Sequence, residues 1–165
     1  MKKITNPNLI TCDKCGNQIN IKRVVKSTFK TTKAGLREDL NISVRSGWEA
    51  NICRYLNYLM DKGFVSRWMY EPKRFYFPNI KRGASSYLPD FCVIFPDGST
   101  EWWEVKGYWT SRGKTAVTRF RKYFPFEKLK LIERKEYNEI KKEFAAQIPN
   151  WEMEKNDSKN LIGAK

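Results

Sequence analysis

Asp90 stands inside an apolar run, YLPDFCVIF at residues 87–95, and Glu104 and Lys106 flank a valine in EWWEVKGYW at residues 101–109. A carboxylate in such a run is costly unless a cation meets it there. Side chains alternate across a strand, so Glu104 and Lys106 share one face and Val105 takes the other. The turn signal PDG at residues 96–98 joins the two segments as a hairpin, and pairing around it can bring Asp90 to the same face. Two carboxylates and an ammonium then converge, a set that suits a hard divalent cation such as Mg²⁺ or Mn²⁺, held with waters and a substrate phosphate. Such an ion polarises a phosphoryl oxygen and lowers the pKa of a bound water, while Lys106 orients that water or stabilises developing charge. The expected chemistry is phosphodiester hydrolysis. The chain has no histidine, which removes imidazole-based nuclease mechanisms. The competing reading is a turn-closing Asp90 beside a Glu104–Lys106 surface pair worth at most about 1 kcal/mol; it leaves the carboxylate in the apolar strand unexplained.

The elements that must position these groups follow from periodicity. Over residues 46–62, Trp48, Ile52, Tyr55, Leu56, Leu59 and Met60 recur at helical spacing and Gly63 follows as a stop. Residues 64–77 alternate loosely around Trp68, Tyr70, Phe75 and Phe77 and are broken by Pro72 and Pro78, which reads as strand near a sheet edge. Strands follow at 87–95 and 100–106, a basic helix at 112–123, a strand at 128–133 and an amphipathic helix at 134–144. The order predicts an α/β fold, a mixed sheet flanked by helices. The expected organisation is a Cys-containing hairpin appendage at 1–22, a basic linker or arm at 23–45, a core at 46–151 and a flexible tail at 152–165.

Charge points to the partner. Lys and Arg outnumber Asp and Glu 32 to 18, a net charge of +14, which favours a polyanion through electrostatic attraction and counterion release. No long apolar span and no basic amphipathic membrane helix is present, so a membrane is not expected. The start, MKKITNPNLI, lacks the apolar stretch of a signal peptide, and the sparse cysteines fit a reducing compartment. A cytoplasmic protein is expected.

The residues also carry a resemblance. Pro89 and Asp90 followed by EVK at 104–106 match the pattern of the PD-(D/E)XK nuclease superfamily. RSGWEANICRYLNYL, SSYLPDFCVIFPDG and EVKGYW look like the phage endonuclease I type of Holliday junction resolvase, over roughly residues 45–122. The resemblance implies a restriction-endonuclease-like core, Glu49, Asp90 and Glu104 as ligands of Mg²⁺ or Mn²⁺, and Lys106 as the catalytic lysine. It further implies a homodimer in which the helix glutamate can come from a swapped partner, action on branched or duplex DNA, and a place in phage DNA recombination. The cysteine-containing extension and the basic stretch before the helix depart from that type. They keep open a sequence- or site-specific nicking or double-strand endonuclease of a phage or mobile element, since related nucleases share the core. A noncatalytic DNA-binding protein is the reading from another class.

Several residues carry two readings. Ser46 and Glu49 form a capping box, in which Glu49 bonds the Ser46 backbone N–H instead of a metal. Glu71, before Pro72, is a candidate outer ligand. Cys12 and Cys15 form a single CxxC, half of a tetrahedral Zn²⁺ site, while Cys53 and Cys92 read as small core residues. Arg45, Arg112, Lys114, Arg119, Arg121 and Lys122 are candidate phosphate contacts, against a solvated helix face. Trp102, Trp103, Tyr108 and Trp109 read as core or as base-stacking platforms.

Overall fold

The helical spacing of residues 46–62 produces the element that organises the molecule. A computed structural model describes residues 9–11, 18–20 and 34–153 of the chain. In it α1 runs Gly47–Asp61 and buries Trp48, Ala50, Ile52, Cys53 and Leu56 along one side. Ser46 caps it from an extended conformation, its hydroxyl accepting the Glu49 N–H at 3.1 Å. The helix stops where Gly63 takes a left-handed conformation, φ 77°, open to glycine at no steric cost.

Four strands form the central sheet: β5 (Arg67–Tyr70), β8 (Phe91–Ile94), β9 (Thr100–Val105) and β10 (Lys128–Ile132), ordered β10-β9-β8-β5. The β8–β9 hairpin is antiparallel, with Phe91 opposite Trp103 and Ile94 opposite Thr100. β10 runs parallel to β9, which requires a crossover connection, and α2 (Ser111–Tyr123) supplies it. The sheet is therefore mixed. α3 (Arg134–Phe144) follows β10.

Alternation sorts the hairpin between two cores. Phe91, Val93, Trp103 and Val105 pack with α1 residues and with Tyr137 of α3. Cys92 and Trp102 pack with Ala116, Val117 and Phe120 of α2, and with Phe75 and Tyr87 from the two-stranded pair β6 (Phe75–Tyr76) and β7 (Ser86–Tyr87). Trp102 and Trp103 are thus core, one on each face, and Cys53 and Cys92 are buried free thiols. Tyr108 stays 81% exposed.

Two boundaries differ from expectation. Within the expected arm at 23–45, β3 (Gly35–Arg37) and β4 (Ile42–Val44) form an antiparallel hairpin whose Val44 joins the α1 core. Its strands are too short for periodicity to register, and the turn signal is the left-handed Asn41, φ 54°. Glu152, at the start of the expected tail, is tied to Arg37 and Arg54 by ion pairs and to Asn51 through its backbone. β1 (Leu9–Thr11) and β2 (Gln18–Asn20) pair antiparallel; Cys12 and Cys15 between them lie outside the described residues. No helix among the described residues is long and apolar enough to cross a membrane.

Candidate functional site

Asp90 immediately precedes β8, Glu104 is the penultimate residue of β9, and Lys106 extends β9 by one position, its N–H bonded to Ile132 O at 2.9 Å. Glu49 comes from the first turn of α1, in the opposite layer. All four line one cleft of about 470 Å³, together with Arg45 and Arg112. The sequence-predicted set is therefore brought together, and α2 begins at the same cleft through Thr110 and Gly113.

The carboxylates are buried: Glu49 is 7% exposed, Asp90 3% and Glu104 3%. Each is held differently. Asp90 accepts the Val105 N–H at 2.8 Å through Oδ2 and pairs with Arg45 Nη2 at 3.0 Å through Oδ1. Burial, then the charges of Glu104 and Glu49, push its pKa up to about 8 against the opposing pull of the Val105 N–H and Lys106. Glu49 accepts from Arg45 N at 2.9 Å, Ser46 Oγ at 3.0 Å and Tyr70 OH at 2.7 Å. The capping box is thus half present: Ser46 caps Glu49, but the Glu49 carboxylate takes the Arg45 N–H and points its remaining contacts to the cleft wall. Burial and then the Glu49 hydrogen bond raise the Tyr70 pKa.

Glu104 pairs with Lys106 through Oε1, while its Oε2 is buried with no hydrogen-bond partner. Tyr87 lines the same cleft with its hydroxyl turned to Glu104 but short of full hydrogen-bond geometry, and its pKa is raised by burial, then by the charge of Glu104 and a side-chain hydrogen-bonding interaction with it. Buried polar atoms without full partners are uncommon and call for an explanation, such as strain, a bound water or a bound ion.

Arg45 crosses the mouth. Its guanidinium pairs with Glu71, with Asp90 and, at 4.0 Å, with Glu49. Burial pulls its pKa down, but the charges of Glu71, Asp90 and Glu49 outweigh this and hold it above its ordinary value. Glu71 itself sits at φ 46°, left-handed for a residue with a side chain, and its N–H bonds Asp90 O at 2.8 Å; such outliers cost about 1–3 kcal/mol and cluster at functional sites.

The remaining predicted residues divide. Arg112, Lys114, Arg121 and Lys122 are exposed along α2. Arg119 instead turns its guanidinium onto the carbonyls of Arg82 (3.1 Å) and Ala84 (2.5 Å), so it braces the 80–84 loop over α2. Trp109 donates to Glu133. Tyr70 and Tyr87 escape the sequence reading, because neither follows from spacing to Asp90 or Glu104 along the chain, and Glu71, a candidate outer ligand by sequence, pairs with Arg45 at the mouth.

Among the described residues no group of three or more His, Cys, Asp or Glu side chains forms a ready-made ligand cluster; the chain's own cations partner the carboxylates. The donor set nonetheless fits a hard divalent ion. It consists of carboxylate oxygens alone, one of them the unpartnered Glu104 Oε2, in a cleft open enough for waters. Chemically, the arrangement can hold a cation beside an ammonium and admit a phosphate past exposed arginine and lysine. No family model, curated protein or solved structure matches the chain.

Proposed function

We propose that the chain is a Mg²⁺-dependent endodeoxyribonuclease with a restriction-endonuclease-like core of the PD-(D/E)XK type, acting as a homodimer on branched DNA and resolving four-way junctions by paired nicks. The observation that carries the reading is the convergence of Asp90, Glu104, Lys106 and Glu49 on one cleft at the start of a basic helix. A binding module gains nothing from burying three carboxylates where a phosphate must approach.

Asp90, Glu104 and Glu49 would hold the ion, Mg²⁺ or Mn²⁺, which supplies a water of lowered pKa and a Lewis acid for the phosphoryl oxygen. The chain's residues do the rest. The Val105 N–H fixes Asp90 through Oδ2, and Arg45 holds Oδ1. Lys106, anchored on Glu104, orients the attacking water and stabilises charge developing on the phosphate. Arg112 and Lys114, at the start of α2, meet phosphates beside the scissile bond, with Arg121 and Lys122 further along it. Tyr70, Ser46 and the Arg45 N–H set the Glu49 carboxylate.

The test is cleavage of a labelled immobile four-way junction beside linear, nicked and single-stranded DNA of matching sequence, with Mg²⁺ or EDTA. Paired nicks in the junction alone, present only with Mg²⁺, are expected. Cutting of linear duplex at a defined sequence moves the function to a site-specific endonuclease; tight binding with no cleavage of any substrate sinks the enzymatic reading.

A further inference from the structure

The cleft is lined by three carboxylates, Glu49, Asp90 and Glu104, beside Arg45, Lys106 and Arg112, and Glu71 pairs with Arg45 at its mouth. Burial and then the charges of Glu104 and Glu49 push the Asp90 pKa up.

Arg45 stands where that ion must enter. Asp90 has given Oδ2 to the Val105 N–H, and the guanidinium of Arg45 holds the other oxygen, Oδ1, at 3.0 Å. The same guanidinium lies 4.0 Å from Glu49 Oε2. A cation and Arg45 therefore contend for the same oxygens. Arg45 is free to yield them, since its side chain is 60% exposed and its backbone is held separately by the N–H bond to Glu49. Glu71 gives the displaced guanidinium a pivot: its carboxylate, 26% exposed, pairs with Arg45 at the mouth, and its left-handed backbone is tied to the Asp90 carbonyl. A guanidinium released toward solvent presents the planar donor fork that matches phosphate.

We infer that Arg45 is the resident counter-ion of this cleft and a positioning residue that couples cation entry to phosphate binding. A divalent ion taking Asp90 and Glu49 displaces the guanidinium, which then meets the DNA backbone. The inference rests on the proposed cation site and adds the residue that guards it.

The experiment is a Mn²⁺ titration of the DNA-free protein by calorimetry, with wild type, Arg45→Gln, Arg45→Lys and Asp90→Asn, each checked by thermal melting. Removing the competing charge is expected to tighten Mn²⁺ binding about tenfold in Arg45→Gln, within the usual range of coupling between sites, with Arg45→Lys between it and wild type. Coupling is reciprocal, so Ca²⁺ is expected to tighten junction binding in wild type and to do so less in Arg45→Gln. Mn²⁺ affinity unchanged or weakened in Arg45→Gln, with binding still lost in Asp90→Asn, overturns the inference and leaves the nuclease reading intact. Undiminished Ca²⁺ coupling in Arg45→Gln overturns it equally. Absence of Mn²⁺ binding by every protein removes the cation site itself, and both readings with it.

Discussion

Helix α1 carries two buried charge clusters, and they are built on opposite terms. On one side Arg54, 6% exposed in its side chain, is bonded to both oxygens of Asp39, to Asn51 Oδ1 and to Glu152 Oε1, while Asn51 bonds Tyr137 and the Glu152 backbone. Its buried polar atoms find partners, and the cluster ties the β3–β4 hairpin and residue 152 to the helix. At the N-terminal end, the cluster around Glu49 has an acid with a raised pKa, a buried Glu104 oxygen without a partner and a left-handed Glu71. Satisfied buried charges specify structure. Unsatisfied ones, held in a cleft, mark a site that waits for something.

The largest expected effect separates the two clusters by activity. Lys106→Ala should lower junction cleavage by about a thousandfold, the scale of losing one charge-stabilising donor, a loss that persists at temperatures where the variant is fully folded even though the buried Glu104 loses its ion-pair partner. Arg54→Ala should leave cleavage by the folded protein unchanged: removing one partner of a buried ion pair leaves Asp39 and Glu152 unpaired and costs about 3 kcal/mol of stability, read as a lowered urea midpoint.

Next comes pH. Asp90, with a pKa of about 8 when folded against 3.8 as a free carboxyl, binds more proton in the folded than in the unfolded state between those values. Its contribution to stability therefore falls as pH rises from about 4 to 8, by at most about 1.4 kcal/mol per pH unit. Unfolding free energy followed across that window in the absence of metal should decline less steeply in Asp90→Asn than in wild type. The smallest effect is local: Ser46→Ala removes the α1 cap and a Glu49 bond, at about 1 kcal/mol, and a chemical-denaturation midpoint reads it.

The contrast also explains what the amino-acid order disclosed. α1, the β8–β9 hairpin, β10 and α3 were legible because each has its own period or turn: apolar spacing from Trp48 to Met60, PDG at 96–98, KLKLI at 128–132. Asp90, Glu104 and Lys106 were legible because strand alternation and one turn suffice to align them. The satisfied cluster was not, since Arg54 meets Asp39 and Glu152 across long separations in sequence and nothing local announces it. The same holds for Arg45 with Glu71 and for Arg119, whose turn toward the loop carbonyls at 82 and 84 looks, in sequence, like one more basic residue on a helix. Short strands such as β3 and β4 give no period to count, so nothing in the sequence separates their hairpin from a basic arm.

The most direct test of the central claim, that the unsatisfied cluster exists to cut DNA, is a paired measurement on Asp90→Asn: junction affinity and Mg²⁺-dependent cleavage, side by side with wild type. Above pH 8, where Asp90 carries its charge, the account predicts binding as tight as wild type or tighter, because one charge repelling phosphate is gone, together with loss of cleavage. Cleavage undiminished in Asp90→Asn would contradict it, and so would a wild type that binds the junction but never cuts it.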